Sequence, residues 1–258
     1  MYIDVHCHLP GGEFPDIEGV LFHAKQDGVS RMICSGFDLD SSYIAAELAK
    51  KHEGVYFTAG FHPSELDKYK DGDLERLKRL CTDEKCVAVG EIGLDYHFDD
   101  NPSEETQKKL FIEQLKIANE LGLPVVVHSR DAALDTLTLL KEQLGLLKKG
   151  GLLHCYSYSP EMVREFAELG LYFSFGGPVT FKNAKKVQDS CKLVPAHRLL
   201  TETDCPYLTP VPKRGEFPNE PRNVKYVYAF LTELLNISQE ELEKQIEENA
   251  KTLFFKLK

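Results

Sequence analysis

Short runs of apolar, often β-branched residues alternate along the chain with longer stretches in which apolar positions recur every three or four residues. The short runs read as strands over Met1–Val5, Arg31–Gly36, Val55–Gly60, Val87–Gly90, Pro124–His128, Gly151–Cys155, Leu171–Phe175 and Arg198–Thr203. Each is followed by a helical pattern. After Ser103, the residues Phe111, Leu115, Ala118 and Leu121 fall at helical spacing, and Gly122 then Pro124 stop the helix. Ser159, Pro160 and Glu161 supply a cap, a first-turn proline and a first-turn acid in order. Ser238 with Glu241 predicts a capping box, backed by the stripe Leu242, Ile246, Ala250 and Leu253.

Strands that alternate regularly with helices imply a parallel sheet. Eight such units in 258 residues fit a closed barrel, for which about 250 residues is typical, better than an open doubly wound sheet. No linker, repeat or low-complexity stretch divides the chain. The expectation is therefore an α/β protein with a single (β/α)8 TIM-barrel domain over residues 1–258.

Composition narrows the setting. With 42% apolar and 28% charged residues, the chain can bury a sizeable core in water. Its apolar runs fall far short of the roughly 20 residues that span a bilayer. The opening MYIDVHCHL lacks the basic and then apolar order of a signal peptide. Seven scattered cysteines without a C-x-x-C pair read as reduced thiols rather than a disulfide framework or a cysteine zinc site. Together these point to a cytoplasmic protein with no membrane partner. A net charge of −10 argues against a broad basic surface for nucleic acid, while leaving room for a local patch.

The histidines carry the chemistry. His6, His8, His62, His128 and His154 lie at or just beyond strand ends, as do Glu91 and Asp204. All C-terminal strand ends of a parallel barrel open on one face, where active sites are built. A lone histidine at a strand end is usually structural, but seven independent coincidences are a poor account of this pattern. His23, His52, His97 and His197 have no matching position. His6 and His8 are two apart on a strand and so share a face, able to hold one cation between them. His128 and His154 can serve a second, and the two oxygens of Glu91 can bridge both. Imidazole plus carboxylate suits zinc, manganese or another transition metal better than a structural calcium.

The same residues lie in segments that resemble the TatD-like metal-dependent deoxyribonuclease family of the amidohydrolase superfamily. They are DVHCHL, GFHP, GEIGLDY, PVVVHSRDA, LLHCYS, GGPVTFKNA, TETDCPYL, RGEFPNEP and ENAKTLF, which cover essentially the whole chain in order. The resemblance implies two divalent metal ions (zinc, magnesium, manganese or similar). One would be held by His6, His8, Glu91 and Asp204, the other by Glu91, His128 and His154. It also implies a substrate role for His62 and places Arg214, Asn219 and Pro221 in the loop after the eighth strand. The chain departs from the family there, where RGEFPNEP is one residue longer than R-G-x-x-N-x-P, and at Tyr158, where many relatives have glycine.

The expected activity is hydrolysis of DNA phosphodiesters by metal-activated water, exonucleolytic on ends or single strands. Asp204 and Glu91 act at the metals, Asp204 as general base, and His62 polarises the scissile group or protonates a leaving oxygen. Arg130, Lys182, Lys185, Lys186, Lys213, Arg214 and Asn219 are candidates to hold substrate at the mouth. Hydrolysis of another bond by the same water, such as an aminoacyl-tRNA ester, an amide or a lactone, is the alternative. A non-catalytic barrel is a third reading, against which the intact ligand set argues.

Overall fold

The computed structural model describes all 258 residues. Eight parallel strands follow one another in sequence order around a nearly closed barrel. They are β1 Tyr2–Cys7, β2 Val29–Ser35, β3 Val55–Ala59, β4 Cys86–Asp95, β5 Val125–Arg130, β6 Gly151–Leu153, β7 Leu171–Phe175 and β8 Leu199–Thr201. The helices α1 Ile17–Gln26, α2 Leu39–Lys51, α3 Asp73–Leu80, α4 Glu104–Leu121, α5 Ala133–Glu142, α6 Pro160–Glu168 and α7 Lys185–Leu193 fill the crossovers. After β8, α8 Val224–Leu235 and α9 Gln239–Leu253 finish the outer ring. No helix is long and apolar enough to cross a membrane.

The local signals work where side chains reach the backbone. Ser103 Oγ accepts the Thr106 N–H ahead of α4, and Gly122 ends that helix at φ 63°. The Ser238 and Glu241 box opens α9. Ser159 stands at the N-cap of α6, but its hydroxyl makes no cap bond. Pro160 already sets the first turn there.

The largest difference from the sequence reading is β4, which runs on from Gly90 to Asp95 and so takes Glu91 inside the strand. Its far half pairs with β5 in the register Gly93 to His128 and Asp95 to Arg130. Only glycine fits at position 93: its φ is +146°, and a Cβ would meet the His128 carbonyl oxygen at 1.9 Å. β1 likewise reaches Cys7 and so contains His6, while β6 and β8 stop early, leaving His154 and Asp204 on the turns beyond.

β1 and β8 are joined by side-chain hydrogen bonds and, at the mouth, by two backbone bonds in place of a regular ladder. The buried Asp4 carboxylate accepts from the Thr203 N–H at 2.9 Å and the Thr203 hydroxyl at 2.6 Å. Thr201 Oγ1 donates to the Ile3 carbonyl at 3.1 Å. Just above, the Asp204 N–H donates to the His6 carbonyl at 3.0 Å and the His8 N–H to the Cys205 carbonyl at 2.7 Å.

Candidate metal centre

The barrel mouth brings together His6, His8, His62, Glu91, His128, His154 and Asp204, from the ends of six strands. Glu91 lies at the middle, with its two oxygens facing different groups. Oε2 is 3.3 Å from both His6 Nε2 and His8 Nε2. Oε1 is 2.7 Å from His154 Nε2, 2.9 Å from His128 Nδ1 and 3.6 Å from His62 Nε2. Asp204 Oδ1 closes the first group, 3.6 Å from His6 Nε2 and 3.5 Å from His8 Nε2.

Partners outside the centre orient the rings. His8 Nδ1 donates to the Ser35 carbonyl at 3.0 Å, and His6 Nδ1 meets the Ser35 hydroxyl at 3.0 Å. Both Nε2 atoms therefore point inward. His128 Nε2 bonds Asp95 Oδ2 at 2.9 Å, which turns Nδ1 toward Glu91. His62 caps the turn Pro63–Lys68, its Nδ1 accepting the Ser64 N–H at 3.1 Å. Its remaining hydrogen is then on Nε2, facing the centre.

Electrostatics follow from proximity in a buried space. Burial opposes the charged forms, but Asp204 and Glu91 raise His8 well above its ordinary value. Against the same burial, Glu91 and Glu202 raise His154, and Asp95 and Glu91 raise His128. His6 is lowered by burial and by His154. Burial and His128 push His62 down to about 3. Despite burial, the surrounding histidines, His154 first, hold Glu91 well below the carboxylate range.

These residues fit divalent cations. Buried imidazole nitrogens and carboxylate oxygens converge, and the outer nitrogens of His6, His8, His62 and His128 are already hydrogen-bonded, as ligand histidines require. Ligand atoms of His6, His8 and Asp204 lie within 4.8 Å of one another, as do those of His62, Glu91 and His128, and of His6, His154 and Glu202. Two atoms here have no hydrogen-bond partner, His154 Nδ1 and Glu202 Oε1. They stand 3.7 Å apart.

Asp95 and Glu202 lie at the centre but are not among the site residues the sequence predicts. Asp95 is four residues beyond Glu91 on β4, a spacing that keeps strand residues on the same face, and Glu202 is two before Asp204 where the chain leaves β8. That was the available signal, hidden for Asp95 by the early end assigned to β4.

The proposed substrate contacts are placed less uniformly. Arg130 at the end of β5, and Lys182 and Arg214 on loops, are exposed on the same face. Arg130 stacks on Phe98 with its guanidinium carbon 5.0 Å from the ring centre, and Arg214 on Phe181 at 4.0 Å. Lys185 and Lys186 are exposed at the start of α7, and Lys213 pairs with Glu216 at 3.0 Å. Asn219 is a correction. It is fully buried, and its amide donates to the Thr203 carbonyl at 3.1 Å and the Tyr207 carbonyl at 2.7 Å. Its side chain pins the loop and faces no opening. Tyr158 is similarly engaged, its hydroxyl 2.8 Å from Ser129 Oγ and 3.3 Å from the Ala132 nitrogen.

Comparison with known proteins gives one consistent neighbourhood. The sequence profile of the family described as TatD related DNase matches residues 3–255. An uncharacterized metal-dependent hydrolase of Bacillus subtilis, YabD, is 44% identical over 98% of this chain and 99% of its own. The 3'-5' ssDNA/RNA exonuclease TatD of Cronobacter sakazakii is 33% identical over 98% of this chain and 97% of its own. The crystal structure of YjjV, a TatD homologue of Escherichia coli K12, superposes with a TM-score of 0.91 at 35% identity, covering 98% of each chain.

Proposed function

The chain belongs to the TatD-related DNase family, a family of metal-dependent hydrolases, and on that premise we propose that it cleaves DNA phosphodiesters at ends or single strands using two divalent ions. The observation that carries this reading is the division of Glu91, whose Oε2 faces His6 and His8 while Oε1 faces His128 and His154. A carboxylate so placed is the natural bridge between two cations. On this reading His6, His8 and Asp204 hold one ion with Glu91, and His128 and His154 hold the other. Divalent ions there supply Lewis acidity and bring the pKa of water toward neutrality.

The chain's own groups divide the remaining work. Asp204, with its side chain 14% exposed against 3% for Glu91, is the centre's more open carboxylate, and it takes the proton of the attacking water. His62 presents its Nε2 hydrogen and donates to a phosphate or leaving-group oxygen. Arg130 and Arg214 stand on the mouth as cations lodged over aromatic rings, and with Lys182 they draw phosphates to a face of an otherwise acidic protein.

The test is an end-labelled single strand incubated with metal-reconstituted protein. Progressive shortening that a chelator abolishes, and that Glu91→Gln abolishes with loss of bound metal, is the expected result. Inert DNA alongside rapid deacylation of a charged tRNA would replace the phosphodiester with a carboxylic ester as the substrate bond.

A further inference from the structure

The loop after β8 carries bulky apolar side chains outward instead of folding them in. Tyr207 is 52% exposed and Phe217 65%. Their rings lie 6.4 Å apart between centres, tilted by 38°. Such exposure usually accompanies a loosely held segment, yet this one is fastened along its length. The Asn219 amide bonds the Thr203 and Tyr207 carbonyls, and the Asn219 N–H bonds the Pro206 carbonyl at 2.8 Å. Thr209 Oγ1 donates to the Glu216 carbonyl at 2.7 Å, and the Val211 N–H donates to Thr180 Oγ1 at 2.9 Å. The Leu208 carbonyl presses on Gly177 so closely that a Cβ there would meet it at 1.7 Å. The backbone that carries the two rings is therefore fixed while their surfaces stay in water.

Their position gives this a purpose. The Tyr207 N–H donates to the Asp204 carbonyl at 3.1 Å, so the ring springs from the same turn as a group of the centre. Nearby on the same loop, Arg214 sits over the Phe181 ring. Aromatic faces beside fixed cations are the usual surface for unpaired bases, because every base has a π-face and every linkage a charge. A base in a duplex is already stacked and paired, so the shelf selects for strand ends and single strands.

Resting on the phosphodiesterase reading above, we propose that Tyr207 and Phe217 form a stacking shelf for the unpaired terminal base of a nucleic acid strand. The shelf holds that base so that its phosphodiester reaches the centre beside Asp204. It also gives the longer loop of this chain a use, since Phe217 belongs to the RGEFPNEP segment.

The experiment uses the metal-loaded protein and a single strand with 2-aminopurine at either end, its terminal linkages made phosphorothioate to slow cleavage. Stacking on an aromatic ring quenches this base. The wild type should quench it at one end, Phe217→Ala should lose the quench and bind about 10-fold more weakly, and Phe217→Tyr should keep both. On ordinary strands Phe217→Ala should raise KM with kcat little changed. That difference should vanish on strands whose terminal sugar lacks a base. No quench by the wild type, or an unaltered quench and KM in Phe217→Ala, overturns the shelf whether or not DNA is cut. If the wild type quenches through Phe217 but leaves DNA intact, the shelf stands and the phosphodiesterase reading falls.

Discussion

Asp95 Oδ2 lies 2.9 Å from His128 Nε2, and Glu91 Oε1 lies 2.9 Å from the Nδ1 of the same ring. The imidazole is thus clamped between two carboxylates, one outside the centre and one within it. Asp95 is itself held by the His97 N–H at 2.9 Å. Its carboxylate fixes the tautomer of His128 and makes Nδ1 a better donor to a cation.

Asp95→Asn should therefore lower metal affinity by about 10–100-fold. Competition against a chromophoric chelator measures this directly, without reference to turnover. Wild-type affinity in the variant would reduce Asp95 to a brace for the end of β4.

Asp204→Asn should separate two roles of one side chain. His6, His8 and Glu91 remain to hold an ion, so metal content should stay near wild type. An amide cannot take up a proton, so turnover should fall about 10²–10⁴-fold. Metal analysis beside kcat decides it: lost metal, with activity regained in excess metal, would leave Asp204 as a ligand alone.

Asn219→Ala should act on stability. It deprives the Thr203 and Tyr207 carbonyls of their donor, a loss of about 1–3 kcal/mol for buried polar groups. For a chain of this size Tm should drop roughly 2–4 °C for each kcal/mol. An unchanged Tm together with a raised KM would return Asn219 to the substrate contacts.

Asp27 offers a pH-dependent test away from the centre. It accepts from Arg222 Nε at 2.6 Å and Lys225 Nζ at 2.9 Å, tying the end of α1 to the start of α8. These cations, Lys225 first, hold its carboxyl below the ordinary 3.8. A depressed value means that the stabilisation is present above the ordinary pKa and disappears as pH falls through the native one. Asp27→Asn should cost about 0.2–1 kcal/mol at neutral pH, as for other solvent-accessible pairs. The urea midpoints of the two proteins should converge in acid; a gap that persists there would show that packing, not charge, is responsible.

The sequence was most readable where one short rule governs structure. Strand and helix alternation gave the barrel, and the Ser103 and Ser238 caps formed as their spacing implied. The convergence of His6, His8, Glu91, His128, His154 and Asp204 followed from the shared direction of parallel strands. The misreadings have physical causes. β4 looked finished at Gly90 because Glu91 and Gly93, on either side of Ile92, are poor strand formers in isolation. Pairing with β5 and the close approach at Gly93 override that preference. Asn219 looked like a substrate contact because it lies in a polar loop at the mouth. Only the three-dimensional path of that loop shows its amide turned inward.

The seam between β1 and β8 has a consequence for how the molecule keeps its shape. His6 and His8 belong to the first strand, Asp204 to the turn beyond the last, and Asp4 and Thr203 link the two strands just below. A cation taken up by those three side chains would act as a clasp across the one junction where side-chain bonds and two backbone bonds at the mouth take the place of a regular ladder. Resistance to heat should then climb steadily with the logarithm of free metal concentration, and chelation should loosen the first and last strands before the rest of the ring.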